Sequence, residues 1–185
     1  MAIDKPECSG APAAGDEELV RRSLAAFGSG GKWGFFDRTG RVVVPSIYDG
    51  DMYGFAGGLA RVKVGKKYGY IDRTGGMVIQ PRYVSASPRF SEGLAVVCEK
   101  WGGPWSFINR TGKIVFTIEA ESVSGVSAVS HRFSNGMVWF RLGHQAKTRY
   151  GFMDRTGKVV IPARFEHVGG DFSEGLATFA SGLKW

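Results

Sequence analysis

Hydrophobic and polar positions follow one pattern that recurs four times along the chain. In each copy, aromatic and small residues alternate, a polar four-residue phrase follows, and a run of aliphatic residues comes next. The polar phrase is Asp or Asn, then Arg-Thr-Gly, and it begins at Asp37, Asp72, Asn109 and Asp154. Alternation with a period of two predicts a strand, and a short continuous aliphatic run predicts a strand covered on both faces. Each copy is therefore expected to contain two strands joined by a tight turn.

The polar phrase has the composition of a hairpin turn. Asp or Asn in the first position can accept a hydrogen bond from a nearby backbone N–H, and the closing glycine can adopt a left-handed conformation. The predicted structural turn residues are Asp37 and Gly40, Asp72 and Gly75, Asn109 and Gly112, and Asp154 and Gly157.

Small residues and prolines mark fixed places in the two strands. Each aromatic strand opens with Trp or Tyr followed by a small residue, which is expected to leave room for a close neighbour such as the ring of an adjacent copy. These small residues are Gly34, Gly69, Ser106 and Gly151. Proline closes three of the aliphatic runs, which predicts that those strands stop at Pro45, Pro81 and Pro162.

A third element precedes each aromatic strand. It has the form Phe-Ser-Glu-Gly-Leu-Ala, and its copies begin at Phe55, Phe90, Phe133 and Phe172. Residues 24–27, which precede the first aromatic strand, are a fifth, partial copy. Its alternation predicts a third strand with one face in water. A three-stranded meander of this size cannot bury its faces alone, so the copies must stack. The expected fold is all-β: tandem three-stranded antiparallel meanders stacked as an open, curved β-array, with a propeller-like ring as the alternative.

The ends of the chain differ from this pattern. Residues 1–15 are rich in Ala, Gly and Pro and are predicted to be a flexible tail. Acidic residues lead and arginines trail over residues 16–26, which predicts a short helix running into the first strand. Residues 16–185 are predicted to form a single repeat domain with units starting near 33, 68, 105 and 150, and Trp185 opens an incomplete unit.

The four copies resemble the WG-repeat family, also called KWG repeats, of bacterial proteins. The resemblance spans about residues 19–185 and rests on the Trp/Tyr-Gly opening, the Asp-Arg-Thr-Gly turn, the Val-Val-Ile-Pro run and the Phe-Ser-Glu-Gly-Leu-Ala phrase. The third copy departs most, since Ser106 replaces the glycine, Asn109 replaces the aspartate and no proline ends its aliphatic run. The resemblance implies a protein-interaction or envelope-associated module.

Composition fits many tight turns and excludes several classes of function. The chain has 28 glycines among 185 residues and a net charge of +7. Residues 1–30 carry a charge of −2, so the remainder carries +9. A basic body can meet nucleic acid or an acidic glycan, but no compact Lys/Arg run exists, which leaves nucleic acid the weakest candidate partner. No stretch suits a membrane span or a signal core, so the chain as given is expected in the cytoplasm. An envelope or secreted location stays open if a signal has been removed.

Neither catalytic nor metal-binding patterns occur in the sequence. The three histidines and two cysteines lack the short spacing of metal ligands, and no nucleophile elbow, zinc-protease motif or phosphate-binding loop is present. We therefore predict no cofactor, no metal, no catalytic residue and no enzymatic activity.

Eight residues are candidates for contact with a partner. Four arginines at the turn tips would form a row if the copies stack in register. Trp101 lies in a Gly/Pro loop, Trp139 falls on the polar side of its strand, and two histidines lie in long loops. The arginines are Arg38, Arg73, Arg110 and Arg155, and the histidines are His131 and His144.

The sequence favours a non-catalytic binding or scaffolding module for protein–protein interaction. A glycan-binding or cell-envelope module is the first alternative. An enzyme, or an accessory subunit of one, that uses the loops between copies three and four is the second, with His131 and His144 as its residues. A metal site there would require His131, His144 and Glu166 to meet in space. An unpaired edge strand would also favour a homodimer.

Overall fold

The computed structural model describes residues 24–50, 53–118, 126–143 and 148–180, and all regular structure in these ranges is β-strand. The predicted tail, and the predicted helix up to residue 23, lie outside the described residues. The strands are β1 (Leu24–Ser29), β2 (Lys32–Asp37), β3 (Val42–Asp49), β4 (Leu59–Val64), β5 (Lys67–Asp72), β6 (Met77–Tyr83), β7 (Ser85–Ala86), β8 (Leu94–Cys98), β9 (Trp105–Asn109), β10 (Ile114–Ile118), β11 (Val126–Val129), β12 (Met137–Leu142), β13 (Arg149–Asp154), β14 (Val159–Phe165), β15 (His167–Val168) and β16 (Phe179–Ala180).

The strands form antiparallel meanders, as the sequence predicts. One sheet contains β1 to β6 in sequence order, a second has the order β10-β9-β8-β7, a third runs from β11 to β14, and β15 pairs with β16. None of these sheets closes on itself into a barrel. We call β1–β3, β4–β6, β8–β10 and β12–β14 the first to fourth units.

Short strands that the sequence analysis did not predict extend the later meanders. The strands β7, β11 and β15 each pair with the strand that follows the next Phe-Ser-Glu-Gly phrase. In the second unit the end of β3 takes this place, because Asp49 pairs with Lys63. This pairing joins the first two units into one six-stranded sheet.

The Asp-Arg-Thr-Gly phrase forms the predicted turn in all four units. In the second unit, the Gly75 N–H donates to the Asp72 carbonyl over 3.1 Å, and the Asp72 N–H donates to the Gly76 carbonyl over 2.9 Å. The Asp72 carboxylate also accepts from the Thr74 N–H at 2.8 Å and from the Gly76 N–H at 2.9 Å. With Gly75 at a φ of 87°, this is a three-residue hairpin loop that ends in a glycine bulge.

The three prolines do not end their strands, contrary to expectation. The strands β3, β6 and β14 continue past Pro45, Pro81 and Pro162, and each proline lies in an irregularity of the strand pairing. Proline lacks an N–H and is accommodated in sheets at such irregularities.

The bulge at the proline explains the small residue beside each leading aromatic residue. A Cβ at Gly34, Gly69 or Gly151 would lie 2.4, 2.5 or 2.6 Å from the carbonyl oxygen of the residue before the irregularity in the third strand. The space is therefore taken mainly by the backbone of the same unit, not by the ring of an adjacent copy. For Gly151, the ring of Phe140 also lies close.

The third unit lacks both the glycine and the proline. Ser106 pairs directly with Thr117, and the pairing between Phe107–Phe116 and Trp105–Ile118 is uninterrupted. The hydroxyl oxygens of Ser106 and Thr117 are 3.0 Å apart. Because the strand pairing is regular opposite Ser106, there is room for its side chain. The loss of the proline and the loss of the glycine in this copy therefore compensate each other.

The hydrophobic core lies where consecutive units meet. Val44 and Tyr48 of the first unit are buried together with Val62 and Ile71 of the second unit. The later clusters repeat this arrangement, with Ile79 and Tyr83 against Val97 and Ile108, and with Phe116 and Ile118 near Val138 and Met153.

The turn glycines allow this close approach of units. A Cβ at Gly75 would lie 3.2 Å from Cγ2 of Val44. The same relation holds between Gly112 and Ile79, and between Gly157 and Phe116. We call Val44, Ile79 and Phe116 the junction residues. Stacking of units is thus built on one repeated contact, as the repeat pattern predicts.

The phenylalanine of each Phe-Ser-Glu-Gly phrase packs on the central aromatic residue of the preceding unit. The ring centroids are 4.7 to 5.3 Å apart, within the usual range for aromatic pairs. The pairs are Phe35–Phe55, Tyr70–Phe90, Phe107–Phe133 and Phe152–Phe172.

Candidate interaction surface

One valine in each unit occupies a β-bulge shortly after the Asp-Arg-Thr-Gly turn. In the second unit, Tyr70 pairs with Ile79 and Ile71 pairs with Met77, so Val78 is an extra residue without a partner. The other three units have the same irregularity. We call these residues the bulge valines: Val43, Val78, Val115 and Val160.

A bulge changes the direction in which its side chain points. Val78 is 40% exposed, Val115 48% and Val160 50%, whereas Val43 is partly buried. The expectation that the aliphatic strand is covered on both faces is therefore wrong at these positions. Because consecutive units stack through the same junction contact, one exposed bulge valine recurs in each of the second, third and fourth units.

Two of the four turn-tip arginines contact an earlier unit. The Arg155 guanidinium donates to the Glu92 carbonyl over 2.7 Å. Arg110 approaches Gly57 so closely that a Cβ there would lie 2.9 Å from its Nη2. Gly57 and Glu92 hold the same place in their Phe-Ser-Glu-Gly phrases, so both arginines bridge to the turn that opens the preceding unit.

The other two arginines differ from this pair. Arg73 lies 5.7 Å from the centre of the Phe55 ring, in cation–π geometry. Arg38 is exposed at the tip of the first turn. All four turn-tip arginines are exposed, and their immediate contacts differ. Their part in binding a partner stays a prediction.

Trp101 is the most exposed of the large apolar side chains described. It lies at the tip of the β8–β9 hairpin and is 83% exposed. The hairpin is held by a 2.9 Å hydrogen bond from the Gly103 N–H to the Lys100 carbonyl, which also accepts from the Cys98 thiol at 2.8 Å. Trp139, by contrast, is partly buried, and its ring meets that of Tyr150 edge-on at 5.6 Å.

Comparison with known families bears out the repeat pattern. The family model described as WG containing repeat matches residues 33–68, 68–100 and 150–185, together more than half of the chain. The chain belongs to this family. The unmatched stretch includes the third WG repeat, which lacks the glycine and the proline. No curated protein and no solved structure matches the chain.

Among the described residues of this WG-repeat chain, no site forms around the loop histidines. His131 is exposed, and its carbonyl accepts from the Ser87 hydroxyl at 3.3 Å. Surrounding protein and the nearby charge of Arg61 lower the imidazole pKa of His131. His144 lies outside the described residues, and Glu166 pairs with Arg149 at 3.5 Å.

Metal and membrane features are also absent from the described ranges. No cluster of three or more His, Cys, Asp or Glu side chains in residues 24–50, 53–118, 126–143 and 148–180 could hold a metal ion. Within the same residues, no helix is long and apolar enough to cross a membrane.

Sequence reasoning missed the surroundings of Arg61 and the exposure of the bulge valines. Arg61 lies 4.5 Å from the centre of the Tyr68 ring and 5.2 Å from that of Tyr53, and it donates to the Ala86 carbonyl over 2.6 Å. The alternation of β4 predicts that Arg61 lies on the strand face exposed to water, but it does not predict these contacts. The bulge valines could have been noticed only from strand pairing, because an aliphatic run looks the same with or without a bulge.

Proposed function

We propose that this WG-repeat chain is a non-catalytic binding module that holds a protein partner along its bulge valines. The repeated exposure of Val78, Val115 and Val160, at 40 to 50%, is the observation that supports this function. Exposed apolar groups grouped on a protein surface are typical of protein–protein contact. Repeat arrays commonly bind through an extended surface to which each unit contributes the same position.

The chemistry of valine favours a protein over a glycan as the partner. A valine side chain offers neither a hydrogen-bonding group nor an aromatic face for a sugar ring. The central aromatic residues of the units, which could stack on sugars, are buried: Phe35, Tyr70, Phe107 and Phe152 are at most 2% exposed.

The decisive experiment uses affinity capture from a lysate with the full chain as bait. A variant with Val78→Thr, Val115→Thr and Val160→Thr keeps the branched shape and strand preference but removes apolar contact. Each of the three sites should lose about 1 kcal/mol of binding free energy, so the affinity for the captured partner should fall by about a hundredfold. Val64→Thr is the matched control, because Val64 is 48% exposed on β4 but does not lie at a bulge.

Either result decides the proposal. Loss of the same captured protein in the triple variant, with full capture by Val64→Thr, supports binding through the bulge valines. Equal capture by all three proteins contradicts it.

A glycan is the second candidate partner, and Trp101 is the observation in its favour. An exposed indole next to Lys100 suits an anionic sugar chain. Titration with acidic oligosaccharides should then change the tryptophan fluorescence of the chain but not of Trp101→Ala. No change in either protein argues against the glycan.

A further inference from the structure

An open apolar groove lies on the outer side of the first unit. It is lined by Phe27, Phe36, Gly40 and Val42 and has a volume of about 340 Å³. Val42 is 53% exposed there. The neighbouring strand β1 is the edge of the six-stranded sheet.

The space over the turn glycine is filled in every later unit, although Ile114, which corresponds to Val42 in the third unit, is itself 49% exposed. In the second unit, Val62, Ile71, Gly75 and Met77 correspond to the groove residues, and they pack around the junction residue Val44 of the first unit. Gly112 receives Ile79 and Gly157 receives Phe116 in the same way. A Cβ at Gly40, by contrast, would meet nothing within 4 Å. The groove therefore has the form of a unit junction without its junction residue.

The opposite side of the fourth unit is incompletely covered. Phe165 corresponds to Tyr48 and Tyr83, which are only 6% and 1% exposed, yet Phe165 remains partly exposed. Ile161, which corresponds to the junction residues, is also partly exposed, as Phe116 is. Phe165 contacts Phe179 at 4.5 Å between ring centroids, and Phe179 itself is 58% exposed.

The segment that partly covers Phe165 has the same pattern as β1. Leu176-Ala177-Thr178-Phe179 corresponds to Leu24-Ala25-Ala26-Phe27, which begins β1 and borders the groove. Leu176 is 78% exposed, and within residues 148–180 β16 pairs at two positions. A stretch like β1 thus already touches the fourth unit, but in a weakly held form that a complete unit can replace.

We propose that a second copy of this chain docks its first unit onto the fourth unit, so that Ile161 enters the groove over Gly40. Copies are then joined head to tail by the same contact that joins units within one copy, and β1 of the neighbour takes the place of β16. Because the two surfaces differ, each added copy leaves one groove and one fourth unit open. Such a contact builds chains or rings of copies rather than a two-fold dimer.

Sedimentation velocity of the full chain over a wide range of concentrations tests this association. The average mass should rise with concentration, and Val42→Lys, which places a charge in the groove, should weaken association by about tenfold or more. Val64→Lys adds the same charge at a similarly exposed valine on β4 and should associate like the unchanged chain. A monomer at every concentration, or equal association by Val42→Lys, overturns the proposal.

Mixing two variants tests the head-to-tail geometry. At concentrations where the unchanged chain associates, Ile161→Asp and Val42→Lys should each be mainly monomeric alone. Their mixture should form dimers, because Val42→Lys retains the fourth-unit surface and Ile161→Asp retains the groove. Association of Ile161→Asp alone would overturn the proposed contact.

Circular dichroism verifies that Ile161→Asp is folded. If it is not, a peptide of residues 158–165 replaces it, and this peptide should dissociate the assembly of the unchanged chain; failure to do so contradicts the proposal. Val42 is not a bulge valine, so Val42→Lys should still capture the protein partner of the bulge valines. Loss of self-association and loss of partner capture can therefore be told apart.

Discussion

At the scale of single residues, Gly69 shows how the path of a neighbouring strand decides what a position can hold. The bulge at Pro81 brings the Ile79 carbonyl oxygen to 2.5 Å from where a Cβ of residue 69 would lie. Ser106 occupies the same position in the third unit, where no irregularity lies opposite it, and its hydroxyl oxygen lies 3.0 Å from that of Thr117.

Gly69→Ala should therefore destabilise the fold by about 2–3 kcal/mol, because the backbone of β6 must move to admit the methyl group. Urea unfolding measures this change. Gly54→Ala is the control, since a Cβ at Gly54 meets nothing within 4 Å. A variant Gly69→Ala as stable as Gly54→Ala would show that the close approach is not what excludes a side chain.

The turn carboxylates link stability to pH. Hydrogen bonds from the hydroxyls of Thr39, Thr74 and Thr156, followed by backbone N–H donors, lower the pKa of Asp37, Asp72 and Asp154 in the folded chain. A carboxyl group with a lowered folded-state pKa stabilises the fold above its unfolded pKa. That contribution is lost as pH falls from about the ordinary value of 3.8 through the folded value.

A variant with Asp37→Asn, Asp72→Asn and Asp154→Asn should lose less stability on acidification than the unchanged chain. Asn109 shows that the amide keeps the turn, since its oxygen accepts from the N–H groups of Thr111 and Lys113, both at 3.0 Å. Thermal melting at neutral pH and below pH 3.8 measures the difference. Equal acid sensitivity of the two proteins would assign the acid response to other groups, such as Asp49 beside Lys32.

At the scale of elements, the Phe-Ser-Glu-Gly phrase forms a tight two-residue turn. Ser91 and Leu94 exchange backbone hydrogen bonds of 2.9 Å in both directions, and Glu92 and Gly93 between them have φ values of 49° and 80°. Two positive φ values in succession define the turn type that favours Asn-Gly. The first turn position is Asn135 in the fourth unit and Glu174 in the last copy of the phrase, where its φ is 51°.

Glu174→Asn should raise the free energy of unfolding by about 0.5–1 kcal/mol, because asparagine tolerates the left-handed conformation better than glutamate. Glu92→Asn should gain less, since the Glu92 carboxylate accepts from the Gly136 N–H at 3.1 Å and this bond would be lost. Chemical unfolding of both variants makes the comparison. A larger gain at Glu92 would contradict the role given to its carboxylate.

Sequence periodicity predicted the three main strands of each unit and the turn at Asp72 and its counterparts, because those features are local. It failed where pairing decides the outcome. Pro81 was expected to end its strand and Val78 to be buried, but β6 continues past Pro81 and Val78 is exposed. Both outcomes result from extra residues in β6, which become visible only in its pairing with β5. The same limit hid the contacts of Arg155 with Glu92, which lie between units.

At the scale of the whole molecule, burial is unequal along the array. All five residues of β8 are buried, and this strand lies between two junctions. Among the residues that the structure describes, β15 and β16 pair at two positions, and Phe179 is 58% exposed. In an array stabilised by nearest neighbours, units with two covered sides open less often than those with one.

Amide hydrogen exchange under native conditions should therefore be slowest in β8 and β9 and fastest in β15 and β16. Mass spectrometry of exchanged peptides measures this order along the described strands. Equal protection in all strands would mean that the array opens only as a whole.

The variant Ile79→Ala tests whether neighbouring units stabilise each other through the junction. Ile79 is 4% exposed and packs on Gly112 of the next unit, so its truncation leaves a cavity that should cost about 3 kcal/mol. Because the side chain belongs to the junction, exchange should accelerate in both β5 and β9 rather than in one unit alone. Val78→Ala, at the exposed neighbouring position, should leave both strands protected. Faster exchange confined to β4–β6 would show that the second unit is stabilised independently of the third.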